Sequence, residues 1–221
     1  MTGIESSDSF IDKWRRRWPE WSVLAAFLPV AQRRPFWAWM ALLQEVGDAA
    51  WGGGDPTPGL AKLAWWQEEL RGWGRGARRH PLGEVLRKHD APWESLALAL
   101  AALPGSRTAA SEGEDAAALQ PLARAVLACE AALFGREGRY PEGAGEAALV
   151  AALRGERSLV QGDREAAQAG IGALPDRGLT RPRRLHAVLL RRRLDEFASG
   201  RGASRNAVGL LWAGWRAARE S

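Results

Sequence analysis

The carboxylates that could do chemistry lie in two short stretches of the first half of the chain. In "LLQEVGDAAW", Glu45 and Asp48 are spaced i and i+3, and in "KLAWWQEELRGW", Glu68 and Glu69 follow two adjacent tryptophans. Carboxylates one helical turn apart can point to the same side and share a divalent cation. Glu45 and Asp48 are therefore the candidates for a metal-binding or catalytic pair.

Other catalytic motifs are poorly represented. The chain has one cysteine, Cys129, and three histidines, His80, His89 and His186, with no spacing typical of a zinc site. The stretch "WGGGDP" lacks the preceding strand and the following Lys-Ser/Thr of a phosphate-binding loop. From these motifs we expect no cofactor.

Arginines are concentrated near the end of the sequence. The run "RPRRLHAVLLRRRLDEFASGRGASR" predicts a helix and its exit that carry Arg183, Arg184, Arg191, Arg192, Arg193, Arg201 and Arg205. The simplest interpretation is a solvated face with Asp195 and Glu196 as ion-pair partners. The alternative is a surface for a phosphate-bearing ligand, an anionic membrane or RNA. Nucleic acid is the partner we expect least, because no recognised nucleic-acid motif accompanies the arginines.

Size and composition place the chain in a broad class. Its 221 residues are enough to bury a core without disulfides, and we interpret residues 1–221 as one domain. A single cysteine fits a reducing cytosol. No stretch approaches the roughly 20 apolar residues of a membrane span, and the polar, acidic N-terminus is unlike a signal peptide. We expect a cytoplasmic protein, with peripheral contact to the inner membrane as the alternative.

Apolar residues recur every three or four positions, which predicts an all-α fold. Pro35 is predicted to be the first residue of a helix that ends at the glycines from Gly52. At about 100° per residue, one face of this helix is apolar. That face consists of Phe36, Trp39, Met40, Leu43, Val46 and Ala50.

The next predicted helix begins at Thr57 and Pro58 and contains the paired tryptophans. Its buried stripe is expected to be Leu63, Trp66, Leu70 and Trp73. Trp65 and Glu68 project away from the stripe and Glu69 lies at its edge, so their ordinary interpretation is a solvated or secondary contact face. Ten of the twelve tryptophans precede residue 94, which assigns the aromatic mass to the first half.

The second half is predicted to be Ala-rich and helical. Residues 105–115, "GSRTAASEGED", are small and polar and predict a flexible connector. Helices are expected near 117–134, 145–170, 183–198 and 204–219.

Read as a unit, residues 24–90 resemble the squalene/phytoene synthase family. A segment rich in leucine and proline precedes the position of the family's "YAFxRxxDDxxD" helix. This segment ends with the arginines Arg33 and Arg34. "KLAWWQEELRG" is similar to the "RLxWWREEL" segment that follows, and "RRHPLGEVL" is similar to the "HPV" helix start. Three motifs thus occur in order at suitable distances.

The resemblance implies a helical bundle of the isoprenoid-synthase type around a central cavity, shortened in this chain. Active members join two prenyl diphosphates with Mg²⁺ held by two aspartate-rich motifs. The family pattern also implies that Arg33, Arg34, Trp65, Glu68 and Glu69 contact a ligand.

The sequence departs from the family at the metal-binding positions. Aligning the first motif on "WMALLQEVGDAAW" places Gly47 and Trp51 at the outer aspartates and leaves Asp48. The second motif, "QxxNxxRDxxED", has no good counterpart, since "LVQGDREAAQ" has the wrong order. One aspartate does not chelate the metals that neutralise a departing diphosphate.

Three hypotheses follow. The first is a degenerate, non-catalytic member that binds an isoprenoid lipid or a protein partner; by analogy, non-catalytic relatives assist respiratory-complex assembly. The second is an active prenyl-diphosphate transferase using Mg²⁺ with altered ligands: Glu45 and Asp48, with Glu68 or Glu69 and distant carboxylates such as Asp163 or Asp195. The third is a surface-binding module that uses the arginine-rich helix.

Overall fold

The computed structural model describes residues 6–135, 143–174, 179–201 and 206–219, and every regular element in these ranges is helical. The all-α prediction is confirmed. In chain order the helices are α1 Ser7–Arg17, α2 Trp21–Leu24, α3 Val30–Trp51, α4 Thr57–Gly74, α5 Gly83–Leu86, α6 Trp93–Ala99, α7 Glu112–Phe134, α8 Ala144–Gln161, α9 Arg164–Ala173, α10 Arg181–Ser199 and α11 Ala207–Arg219. Short 3₁₀ turns occupy Ala25–Phe27 and Leu103–Arg107.

Helix α3 lies at the centre of the bundle and is buried on more than one side. All six residues of its predicted apolar face are buried, and so are small residues around the rest of the helix, such as Ala38, Ala41 and Ala49. It packs against α1, α4 and α8. The contact with α4 is close, because a Cβ added at Gly59 would lie 2.1 Å from the carbonyl oxygen of Ala49. Only glycine permits that approach.

Helix α4 buries the stripe predicted from the sequence. Leu63, Trp66, Leu70 and Trp73 are all buried, whereas Trp65 is partly exposed and Glu68 is exposed. The Trp73 ring meets the Trp93 ring of α6 edge to face, with centroids 5.2 Å apart. Such aromatic packing supplies much of the buried apolar area in this half of the protein.

Helix α7 is the one described helix whose length and composition would allow it to cross a membrane. Half of its apolar window is buried inside the fold, and it packs against α6 and α8. Two buried acidic residues on α7, Asp115 and Glu130, form ion pairs with arginines of other helices. These contacts are typical of a core helix.

Three local predictions differ from the structure. Helix α3 begins at Val30, five residues before Pro35, because the extended backbone at Pro29 allows the helix to start there. Pro35 lies inside the helix and has no N–H to donate to the carbonyl of Ala31, four residues earlier. Because Ala31 is exposed, water can bind that carbonyl instead. The predicted helix over 145–170 is divided at Gly162, whose left-handed backbone (φ +72°) ends α8.

The segment predicted as a flexible connector, residues 105–115, contains the end of a 3₁₀ turn and the start of α7. Its buried residue Ser106 accepts a hydrogen bond from the Trp51 indole N–H at 2.9 Å. Ser111 caps α7 by accepting from the Glu114 N–H at 3.2 Å. The composition of small polar residues therefore reflects capping and a tight turn.

Candidate functional site

Glu45 is buried between two lysines from neighbouring helices. Lys13 of α1 donates to its Oε1 at 2.6 Å, and Lys62 of α4 donates to its Oε2 at 2.5 Å. Burial raises the pKa of Glu45, but the two lysines lower it by a larger amount, so that the pKa lies below its ordinary value. Glu45 is thus an ionised carboxylate with both oxygens bound by ammonium groups.

Asp48 faces a different neighbour. Arg17 of α1 donates to its two oxygens at 2.8 and 3.1 Å. Asp48 lines a cavity described below, whereas Glu45 does not. Among the described residues, no three His, Cys, Asp or Glu side chains lie close enough to hold a metal ion. Because both oxygens of Glu45 and of Asp48 are engaged by cations, this donor set does not suit Mg²⁺.

Glu69 holds the loop that follows α4. It is buried and accepts four hydrogen bonds: from the backbone N–H groups of Arg79 and His80 at 2.7 Å each, from the Trp73 indole at 2.8 Å, and from Arg79 Nε at 3.2 Å. Burial raises the pKa of Glu69, and these hydrogen bonds more than offset that effect, so that the pKa is lowered. Its contacts are those of a structural residue.

His80 completes this loop. Its Nδ1 accepts from the Leu82 N–H at 3.2 Å, and its ring packs on Phe10 and Trp66 with centroids 4.4 and 4.5 Å away. Burial lowers the pKa of His80 to about 4, although Glu45 and Glu69 act to raise it. The imidazole is therefore neutral at pH 7.

The remaining predicted ligand-binding residues are scattered. Glu68 is exposed and lies 3.7 Å from Arg79, whose guanidinium is 5.4 Å from the Trp65 ring. Arg33 donates to the carbonyl of Leu28 at 3.2 Å. Arg34 pairs with Asp8 at 3.0 Å and donates to Ser7 at 3.2 Å. These residues do not line the cavity that contains Asp48.

The arginine-rich helix α10 is mostly not a solvated face. Arg183 and Arg184 are 1% and 2% exposed. Arg184 donates to the carbonyls of Ala217 and Leu179 at 2.9 and 2.7 Å. Asp195 and Glu196 do pair locally as predicted, with Arg201 and Arg192 at 2.5 and 3.0 Å. Arg205 lies outside the described residues.

Arg183 belongs to a buried polar network at the middle of the bundle. Its Nε donates to Glu130 of α7 at 3.0 Å, and Glu130 also accepts from the Trp39 indole at 2.9 Å and from Thr180 at 3.2 Å. Burial lowers the pKa of Arg183, but Glu130 and Glu156 raise it by more. The guanidinium therefore stays charged, and the network links α3, α7 and α10.

A cavity of about 450 Å³ lies between α1, α3, α8 and α10. This size is within the range of roughly 300–1,000 Å³ typical of small-molecule sites. Its apolar lining consists of Trp14, Trp18, Met40, Leu43, Trp51, Leu159, Val160 and Phe197. Its charged lining consists of Arg17, Glu20, Asp48, Glu156, Arg193, Glu196 and Arg201.

Glu156 and His186 form the polar inner end of the lining. His186 Nε2 lies 3.3 Å from Glu156 Oε1, and His186 Nδ1 accepts from the Trp21 indole at 3.4 Å. Burial lowers the pKa of His186. Burial also raises the pKa of Glu156, but His186 and Arg183 lower it below its ordinary value. Glu156 acts to raise the pKa of His186, but burial outweighs it, so that the pKa of each group lies below its ordinary value.

Gln44 belongs to the same lining and has an unsatisfied polar atom. Its side-chain oxygen is buried and has no hydrogen-bond partner within the described ranges. A buried polar atom without a partner costs roughly 1–3 kcal/mol. Because the oxygen itself is buried, it does not open on the cavity space.

Sequence reasoning missed most of these lining residues. Only Asp48 was among the predicted site residues; Arg17, Gln44, Glu156 and His186 were not. Glu156 lies on an Ala-rich helix and His186 within the arginine run, where no motif distinguishes them. Gly47 and Trp51, which stand on either side of Asp48 in the stretch singled out in the sequence, also line the cavity.

Comparisons with known protein families, curated proteins and solved structures find no match for this chain. The resemblance to the squalene/phytoene synthase family therefore depends on the three motifs in residues 24–90.

Proposed function

We propose that this protein is a non-catalytic bundle of the isoprenoid-synthase type that binds a prenyl lipid in the cavity between α1, α3, α8 and α10. The observation that carries the proposal is the position of Gly47, Asp48 and Trp51. These residues align, through the resemblance, with the family's first aspartate-rich motif and line the cavity, whose lining is partly apolar and partly charged. Two of the three have no carboxylate, and the third is paired with Arg17.

The charges of the lining favour a neutral head group over a diphosphate. Four acidic side chains and three arginines line the cavity. Arg17 is paired with Asp48 at 2.8 Å and Arg193 with Glu20 at 2.7 Å. Without a metal, a diphosphate would have to compete with these carboxylates for the arginines. A prenyl alcohol would meet less repulsion from the four carboxylates, because its hydroxyl carries no charge.

The apolar part of the lining suits a prenyl chain. Aromatic and branched side chains surround the space, and Trp18 is covered by Arg193, whose guanidinium lies 3.9 Å from the ring centroid. Branched isoprene units bury apolar surface against such side chains at roughly 25 cal/mol per Å². A short prenyl chain therefore gains affinity from burial, and its head group sets the orientation.

An active prenyl-diphosphate transferase with altered metal ligands is the alternative. It requires carboxylates that converge across the cavity, yet Glu45 and Glu69 are engaged elsewhere by lysines and by backbone N–H groups. Asp195 pairs with Arg201, and Asp163 caps α9 by accepting from the Ala166 N–H at 3.0 Å. These contacts favour the non-catalytic proposal.

The test is calorimetric titration of the protein with farnesol and with farnesyl diphosphate, each with and without Mg²⁺, followed by an assay for diphosphate release. We expect metal-independent binding of farnesol, weaker binding of the diphosphate and no turnover. Mg²⁺-dependent turnover would establish the transferase instead. Binding of neither compound would contradict a lipid ligand and direct the search to protein partners.

Two matched substitutions locate the binding site. Val160→Phe places a phenyl ring in the cavity, and Val188→Phe makes the same change in the adjoining groove beside α11, at a residue that does not line the cavity. We expect the first substitution to weaken farnesol binding at least about tenfold by occupying the site, and the second to leave it unchanged. Equal effects of the two substitutions would place the ligand elsewhere.

A further inference from the structure

Helix α11 has an apolar outer face as well as a buried inner face. Leu210, Gly214 and Ala217 are buried against the body of the protein. On the opposite side, Val208, Leu211, Trp212 and Trp215 are 77%, 42%, 61% and 40% exposed. These four account for most of the large apolar side chains that are exposed among the described residues. A helix that is apolar all round is normally covered on every side.

The inner face is firmly attached, so that the outer face has a defined orientation. A Cβ added at Gly214 would lie 2.5 Å from Leu24 and 2.9 Å from Phe27. Arg184, buried in α10, donates to the carbonyl of Ala217 at 2.9 Å. The tryptophan face therefore points away from the bundle as a consequence of packing.

The composition of the outer face indicates which kind of partner it suits. Trp212 and Trp215 stack with centroids 5.0 Å apart, and Arg219 lies over the Trp215 ring at 4.6 Å. Arg216 is also on α11, which has no acidic residue. Tryptophan with arginine is typical of helices that lie in the interface of an anionic bilayer.

We propose that the outer face of α11, formed by Val208, Leu211, Trp212 and Trp215, docks on an anionic lipid bilayer. The indole rings insert at the level of the head groups, and the arginines Arg216 and Arg219 lie near the lipid phosphates. The helix lies along the surface; its 13 residues are too few to cross a bilayer.

The position of α11 connects this surface to the interior of the bundle. A groove of about 1,070 Å³ runs between α9, α10 and α11. Glu196 and Arg201 line both this groove and the cavity that contains Asp48. A protein resting on α11 would therefore hold the region around these two residues close to the membrane. The docking itself does not depend on which ligand occupies the cavity.

The experiment is cosedimentation of the full chain with vesicles of phosphatidylcholine alone or with added phosphatidylglycerol. We compare the wild type with the double variant Trp212→Ser/Trp215→Ser and with a control, Val30→Ser/Leu98→Ser, which removes exposed apolar side chains elsewhere. Circular dichroism verifies that each variant is folded.

We expect the wild type and the control to sediment with anionic vesicles, and the tryptophan variant to bind at least about tenfold more weakly. Raised salt weakens binding without abolishing it, because insertion of the indoles is not screened. Failure of the wild type to bind, or unchanged binding of the tryptophan variant, overturns the proposal. Light scattering tests whether a second copy of the chain covers this face instead. If the wild type is a dimer that does not bind vesicles, and the tryptophan variant is a monomer, the proposal is also overturned.

Discussion

Arg17 of α1 and Asp48 of α3 form an ion pair at the cavity, with Nη1 2.8 Å from Oδ1. Both side chains are about one-third exposed, at 38% and 32%. Ion pairs that remain this accessible to water contribute at most about 1 kcal/mol to stability. Arg17 thus occupies both oxygens of a carboxylate that lines the cavity.

For Asp48→Asn we therefore expect a loss of less than about 1 kcal/mol in the free energy of unfolding, measured by urea denaturation. Farnesol affinity should change less than about threefold, because the proposed ligand does not need a metal. Arg17→Met is the matched change on the other side of the pair. If Asp48→Asn abolished a Mg²⁺-dependent binding of farnesyl diphosphate, the residue would be a metal ligand after all.

The adjacent residues Glu68 and Glu69 give a controlled comparison. Glu69→Gln removes a buried charge that accepts four hydrogen bonds, and we expect it to cost roughly 2–4 kcal/mol of unfolding free energy. Glu68→Gln, at a side chain that is 69% exposed, should cost less than about 0.5 kcal/mol. Urea denaturation measures both, and similar losses would contradict a structural role for Glu69.

This pair also indicates how far the sequence leads. The helical period places Glu68 outward, where it lies, but it also assigns Glu69 to a solvated or secondary contact face, whereas Glu69 is buried. The helical period does not predict that the backbone N–H groups of Arg79 and His80 donate to Glu69, because those hydrogen bonds depend on the loop conformation. The same limit applies to Arg183 and Arg184, since a run of arginines does not reveal carboxylate and carbonyl partners from distant helices.

The tryptophans illustrate the opposite case. The ten in the first half are mostly buried, as their helical spacing predicts, whereas Trp212 and Trp215 are exposed. The signal was present in the sequence, because "AVGLLWAGWRAAR" has large apolar residues on both sides of a helix. Of the residues that line the cavity, only Asp48 was among the predicted site residues, and nothing in the helical period distinguishes its neighbours.

The buried pair of Arg183 and Glu130 should show strong energetic coupling. We expect Glu130→Gln and Arg183→Met each to lower the unfolding free energy by about 3–5 kcal/mol. The first leaves the buried guanidinium only the more distant Glu156, at 3.6 Å, and the second leaves Glu130 without the guanidinium. The double variant should be less destabilised than the sum of the single variants by roughly 2 kcal/mol. Thermal and urea unfolding of the four proteins gives this coupling. An additive result would mean that the two side chains act independently.

His80 should make stability depend on pH between about pH 4 and 6.5. Burial lowers its pKa from 6.5 to about 4 in the folded protein. Between these values the unfolded chain binds a proton that the folded protein excludes, so the stability present above pH 6.5 falls as the pH is lowered. His186, whose pKa is also lowered by burial, adds to the same slope. Glu45 and Glu69, whose pKa values are lowered, lose their contribution only below their ordinary value of 4.5.

The measurement is the free energy of unfolding of wild type and His80→Gln at pH 7 and pH 5. We expect the wild type to lose about 1–2 kcal/mol more than the variant over this interval, after allowance for solvent screening of His80. Phe10→Leu is the control, because it disturbs packing on the His80 ring, 4.4 Å away, without removing a titrating group. It should lower stability at both pH values and keep the wild-type slope. If His80→Gln also kept that slope, the imidazole would not be the group that titrates, and its burial against Phe10 and Trp66 would be a matter of packing alone.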